Sequence, residues 1–66
     1  MEPQEIFGLI IRADEKLKYA KDINRQTRER QARELLEQAL AAAREIGNDG
    51  LVGQAELRLA DLGPDG

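Results

Sequence analysis

The stretch Ala32–Gly50, ARELLEQALAAAREIGNDG, decides the fold because it joins an amphipathic helix to a helix stop. Apolar residues recur in it at alternating steps of four and three, which places them on one helical face. These residues are Ala32, Leu36, Ala39, Ala43 and Ile46. Gly47 supplies the left-handed conformation that ends a helix, and Asn48-Asp49 offers a cap for the next one. The stretch therefore predicts a helical scaffold and identifies no chemistry.

The same periodicity appears on both sides of this helix. Upstream it runs through Ile6, Ile10, Ala13, Leu17 and Ala20, and downstream through Val52, Ala55, Leu59 and Leu62. We therefore expect residues 1–66 to form one small all-α domain, with helices at about 3–22, 27–46 and 50–62. Gly63-Pro64 would end the third helix. The predicted architecture is a three-helix antiparallel bundle or a tetratricopeptide-like helical array, with the second helix central.

The boundary between the first two helices is the least determined part of the pattern. The apolar stripe slips within Asp22–Thr27, and Asn24 and Thr27 are residues that favour helix caps. We expect a turn near residues 23–27. Because no Gly or Pro interrupts residues 9–46, one continuous helix over residues 3–46 is the alternative.

The predicted core is small, because a chain of this length buries only about 60% of its unfolded surface. The chain has no Cys and no His, so disulfides and the common zinc sites are excluded as stabilising devices. Tight helix packing or self-association must replace them. The predicted core residues are Ile6, Ile10, Leu17, Leu36, Ala39, Leu40, Ala43, Ile46, Val52, Ala55 and Leu59.

Composition argues against an enzyme. The sequence lacks His, Cys, Ser and Trp, and its hydroxyl side chains are Thr27 and Tyr19. The usual nucleophiles and general base are therefore missing, and a carboxylate used for acid–base chemistry would need a desolvating pocket. Asn48-Asp49-Gly50 lacks the ligand spacing of a calcium loop. We expect no catalytic residue, no cofactor and no metal site.

The first eleven residues bear on where in the cell the protein is located. The start, Met1–Glu5, is acidic where a secretory signal would be basic. The longest run rich in apolar residues, Ile6–Ile11, is far shorter than a membrane span. These features predict a cytoplasmic protein that makes no membrane contact.

Charge is distributed unevenly around a net value of −3. Residues 12–33 hold eight of the ten basic side chains, and a possible basic patch in this segment comprises Arg25, Arg28, Arg30 and Arg33. The alternative function is therefore that of a small basic-patch nucleic-acid-binding helical protein. Pairing between neighbouring helices explains the charges more simply, and few aromatic side chains are present for base stacking. Nucleic acid is thus the less favoured partner.

An apolar excess at the start of the first helix is the main functional feature. Phe7, Leu9 and Ile11 lie off the buried stripe, so the first two turns are apolar nearly all round. We expect these three residues to form a partner or self-association surface. The predicted function is a non-catalytic protein–protein interaction or self-association module. It would bind either a partner helix or peptide, or a second copy, and a homodimer would also relieve the small core.

The segment from Ala13 to Leu62 resembles the tetratricopeptide repeat over about one and a half repeats. The resemblance rests on Ala32, Leu36 and Ala39 in the second helix, on Tyr19-Ala20 and Ile23 before it, and on Leu59-Ala60 after it. Arg25-Gln26-Thr27 replaces the usual turn, and Lys16 and Glu56 stand where the family carries aromatic residues. The resemblance implies stacked helical hairpins that serve as an interaction scaffold.

Overall fold

The computed structural model describes residues 1–63, which form three α-helices and no strand. The helices are α1 (Pro3–Lys18), α2 (Arg25–Glu45) and α3 (Asp49–Leu62). The predicted all-α, three-helix fold is therefore confirmed. The prediction for the end of α1 was wrong, because α1 stops at Lys18 and does not reach residue 22.

A tight turn separates α1 from α2 at residues 19–24. The Asn24 N–H donates to the Lys21 carbonyl at 2.9 Å, and the Lys21 N–H donates to Asn24 Oδ1 at 2.7 Å. Asn24 thus closes the turn behind it and does not cap α2 with its side chain. This reciprocal pairing excludes the continuous helix over residues 3–46 and places the turn earlier than the predicted residues 23–27.

The connection between α2 and α3 follows the sequence prediction. Gly47 has φ +70°, and the Asn48 N–H donates to the Ala43 carbonyl at 2.9 Å, which closes the end of α2. Asn48 Oδ1 then accepts from the Leu51 N–H at 3.1 Å and caps α3. Gly63, with φ +77°, caps the end of α3, whereas Pro64 lies outside the described residues.

Contacts between helices fix their directions. Arg33, in the first half of α2, donates to the Gly63 carbonyl at the end of α3, at 3.3 Å. Arg44, near the end of α2, pairs with Glu56 of α3 at 3.2 Å, so α2 and α3 are antiparallel. The short turn makes α1 and α2 antiparallel as well. The helix α2 packs on both neighbours, and is the central helix.

The core is made mostly of alanines. Ile6, Ile10 and Leu36 are the large side chains that are fully buried, and the other buried residues are Ala13, Ala32, Ala39, Ala43 and Ala55. Leu17, Leu40, Val52 and Leu59 pack against this cluster and are half-buried. The prediction that Ile46 is a core residue was wrong, because Ile46 follows the last residue of α2 and is 39% exposed.

The three helices form an open arrangement. The Cα framework measures 37 × 21 × 13 Å, so it is wider than it is thick. A closed triangle of helices spaced by about 8–10 Å would have similar width and thickness. Consistently, α1 and α3 contact each other much less than either contacts α2. A groove therefore remains between α1 and α3.

Candidate functional site

The groove lies between α1 and α3 towards their N-terminal ends, is shallow and open to solvent, and has a volume of about 690 Å³. Eight described residues line this groove. They are Pro3, Gln4, Phe7, Asn48, Gly50, Leu51, Gln54 and Arg58. Most of this lining is apolar or carries a neutral amide. The groove exists because α1 and α3 run parallel, which brings their first turns to the same end of the molecule.

An ion pair neutralises Arg58, the charged residue in the described lining of the groove. Arg58 Nε donates to both carboxylate oxygens of Asp14, at 2.9 and 3.1 Å. Arg58 Nη1 also donates to the Gln54 carbonyl at 3.1 Å and to Gln54 Oε1 at 2.6 Å. The two bonds to Asp14 therefore link α3 to α1, and the two bonds to Gln54 within α3 fix the orientation of the guanidinium. As a result, the described lining of the groove presents no unpaired charge.

The structure places the three residues of the predicted partner surface on two different sides of α1. Phe7 lines the groove and is 46% exposed, and Ile11, one turn later on the same face, is 37% exposed. Leu9 lies about 200° around the helix from Phe7, is half-buried, and packs against the core. Phe7 and Ile11 are thus brought together, and Leu9 is separated from them.

Beside the α3 wall of the groove lies an exposed apolar residue, Leu57, which does not line the groove itself and which the sequence prediction did not include. Leu57 follows Gln54 by three positions, which places it on the same side of α3, and it is 62% exposed. Leu51, on the same helix, lines the groove and is half-buried. We call the groove together with Ile11 and Leu57 the groove face.

The four arginines of the predicted basic patch do not share one surface. Arg25 pairs with Asp22 at 3.3 Å in an exposed position, and Arg33 donates to the Gly63 carbonyl on the α3 side. Arg30 is exposed, and Arg28 turns towards α1. Helical periodicity explains the divergence, because these positions span more than half a turn around α2.

A different basic site forms where Arg28 meets α1. Arg12, Glu15, Lys16 and Tyr19 of the α1 side and Arg28 of α2 line one cleft of about 230 Å³, which we call the basic cleft. Arg12 and Lys16 are separated by four residues and therefore lie on one face of α1. The sequence prediction missed this cluster because it grouped arginines by their closeness along α2. The helical period of α1 was the signal that could have selected Arg12 and Lys16.

Metal-ligand clusters and buried ionisable groups are both absent from residues 1–63. Among the described residues, no group of three carboxylates is arranged to hold a metal ion. Buried residues in this part of the chain are all apolar, so no desolvated acid or base is present there.

Comparisons with known proteins found no similar family, protein or structure. No protein-family model matches the chain, and neither the search of curated proteins nor that of solved structures found a match. Across residues 1–63, no helix has the length and apolar character that crossing a membrane requires.

Proposed function

We propose that this chain is a self-association module that forms a homodimer through the groove face, with no catalytic role. The observation that carries the proposal is an apolar groove whose lining charge is already neutralised within the same protomer. Phe7, Ile11 and Leu57 remain exposed around it. Large exposed apolar side chains grouped at a groove are typical of protein interfaces.

Charge favours a second copy as the occupant of the groove face. An isologous interface brings the same surface together with itself, so any unpaired charge near its axis would face a like charge. Since Asp14 holds Arg58, the described groove lining avoids this repulsion. A partner selected by charge would instead be expected to find a charged group there.

The composition of the core gives a reason for association. Within residues 1–63, five of the eight buried residues are alanines, which bury little surface compared with leucine or isoleucine. The exposed surface of the chain is 4600 Å². A stable interface of standard size covers about 800 Å² of each partner, roughly a sixth of that surface. Dimer formation would therefore add apolar burial that a single copy lacks.

The proposal is tested by light scattering across about a hundredfold range of protein concentration. We expect the mass to rise from 7.4 kDa towards twice that value as the concentration increases. Phe7→Glu places a charge in the apolar interface and should weaken dimerisation at least about tenfold.

Ile23→Glu is the matched control, because Ile23 is 93% exposed in the turn and lies outside the groove face. It should leave the dissociation constant of the dimer unchanged. A folded monomer at every concentration would overturn the homodimer proposal. It would favour the alternative in which the groove binds a helix of another protein. Equal weakening by both variants would show that the groove face is not the interface.

A further inference from the structure

The basic cleft shares no lining residue with the groove, and positively charged side chains dominate its lining. Three cationic side chains, Arg12, Lys16 and Arg28, line one small cleft together with a single acid, Glu15. Over residues 1–63, none of these three cations forms an ion pair. The described lining of the cleft therefore keeps a net charge of +2, with Glu34 of α2 the next acid, in an adjacent cleft that Arg12 and Lys16 also line.

The arrangement of these cations is unfavourable for the isolated fold. Like charges four residues apart, such as Arg12 and Lys16, destabilise a helix by a few tenths of a kcal/mol. The first turn of α2 carries no acidic residue, so its positive end adds to the potential near Arg28. A bound anion would remove both penalties.

The chemistry of the side chains indicates which anion fits. Arginine presents a planar fork of donors that matches phosphate oxygens, and lysine adds a point charge. Tyr19, which is 59% exposed, lines the same cleft and offers an aromatic ring beside the cations. Lys18 Nζ lies 5.6 Å from the centroid of this ring. Cations next to an accessible aromatic ring are the combination used to bind single-stranded nucleic acids.

We propose that the basic cleft binds the phosphate backbone of a single-stranded nucleic acid, with Tyr19 as the stacking platform for one base. This site differs from the four arginines singled out in the sequence, since it uses two residues of α1 and only Arg28 of that group. An acidic polypeptide would satisfy the cations but would make no use of the Tyr19 ring.

The first test is fluorescence anisotropy with a labelled mixed-sequence DNA oligonucleotide of about a dozen nucleotides. Three neutralised phosphates predict a log–log salt slope of about −2 for a single strand. Raising the salt from about 50 to about 200 mM should therefore weaken binding roughly 20-fold. Absence of binding at the lower salt concentration would overturn the proposal.

Matched variants locate the site. Arg28→Gln should weaken binding several-fold and reduce the magnitude of the salt slope by about 0.7, whereas Arg30→Gln removes the same charge from an exposed position outside the cleft and should have little effect. Equal losses in the two variants would overturn the proposal, because they would indicate diffuse attraction to the net charge of the segment.

Tyr19→Leu separates stacking from charge. It should weaken oligonucleotide binding about tenfold and leave the salt slope unchanged. A polyglutamate peptide of equal charge should bind more weakly than the oligonucleotide and should be insensitive to Tyr19→Leu. Peptide binding as tight as that of the oligonucleotide would assign the cleft to an acidic protein segment and overturn the nucleic-acid assignment.

Discussion

At the scale of single residues, the backbone conformation requires a glycine at position 47 but not at position 8. Gly47 adopts φ +70°, a left-handed conformation that a side chain disfavours, and this allows α2 to end. Gly8 lies within α1, and a Cβ added there would meet nothing within 4 Å. No close helix crossing therefore requires a glycine at position 8. The sequence predicted the role of Gly47 from its position after the amphipathic stripe.

We therefore expect Gly47→Ala and Gly8→Ala to change stability in opposite directions. Gly47→Ala should lower the free energy of unfolding by about 1–2 kcal/mol, because alanine is strained in the left-handed region. Gly8→Ala should raise it by about 0.5–1 kcal/mol, since alanine loses less entropy in a helix. Urea unfolding followed by circular dichroism measures both. A gain in stability for Gly47→Ala would contradict the assigned role.

At the scale of the helices, periodicity predicted their number and faces but not the end of α1. The stripes gave Ile6, Ile10 and Leu36 correctly as core residues. The boundary depends on the Asn24 side chain, which bonds to the Lys21 N–H and not within α2. The Asn24 side chain can either cap α2 or accept from the Lys21 N–H, and these two hydrogen bonds are of similar strength. The spacing of apolar residues does not distinguish between them, which explains why the turn was predicted too late.

The buried alanines of α2 set how closely its neighbours approach. Ala39→Leu should lower the free energy of unfolding by about 1–3 kcal/mol, because the core has no room for the larger side chain. Ala41→Leu introduces the same change at an exposed position on the same helix and should be nearly neutral. Thermal or urea unfolding of the two variants checks the contrast. Equal stability of both would show that α2 is loosely packed.

The Asp14–Arg58 pair links α1 to α3, the two helices that contact each other least. Asp14→Asn should lower the free energy of unfolding by about 1 kcal/mol, since the Asp14 side chain is 41% exposed and that of Arg58 only 24%. Asp22→Asn breaks an exposed pair with Arg25, whose side chain is 61% exposed, and should cause no measurable change. If the two variants behaved alike in urea unfolding, Arg58 would not tie α3 to α1.

At the scale of the whole molecule, the candidate surfaces come from helices that are distant in the sequence. Phe7 was predicted as an interaction residue because it lies off the buried stripe. Leu51 and Leu57 were not, because the place of Leu51 in the same groove as Phe7, and of Leu57 next to that groove, depends on the parallel placement of α1 and α3. The resemblance to tetratricopeptide repeats remains a prediction. In this structure Tyr19 caps α1, and Ile23 lies in the turn.

The measurement that tests the central claim most directly is a dilution series of ¹H–¹⁵N NMR spectra of the wild-type chain. If the groove face joins two copies, concentration-dependent shifts should cluster at Phe7, Ile11, Gln54 and Leu57. The amide of Ile23, which lies outside that face, should not move. Spectra that do not change with concentration, or shifts centred on the turn at residues 19–24, would contradict a homodimer formed through the groove face.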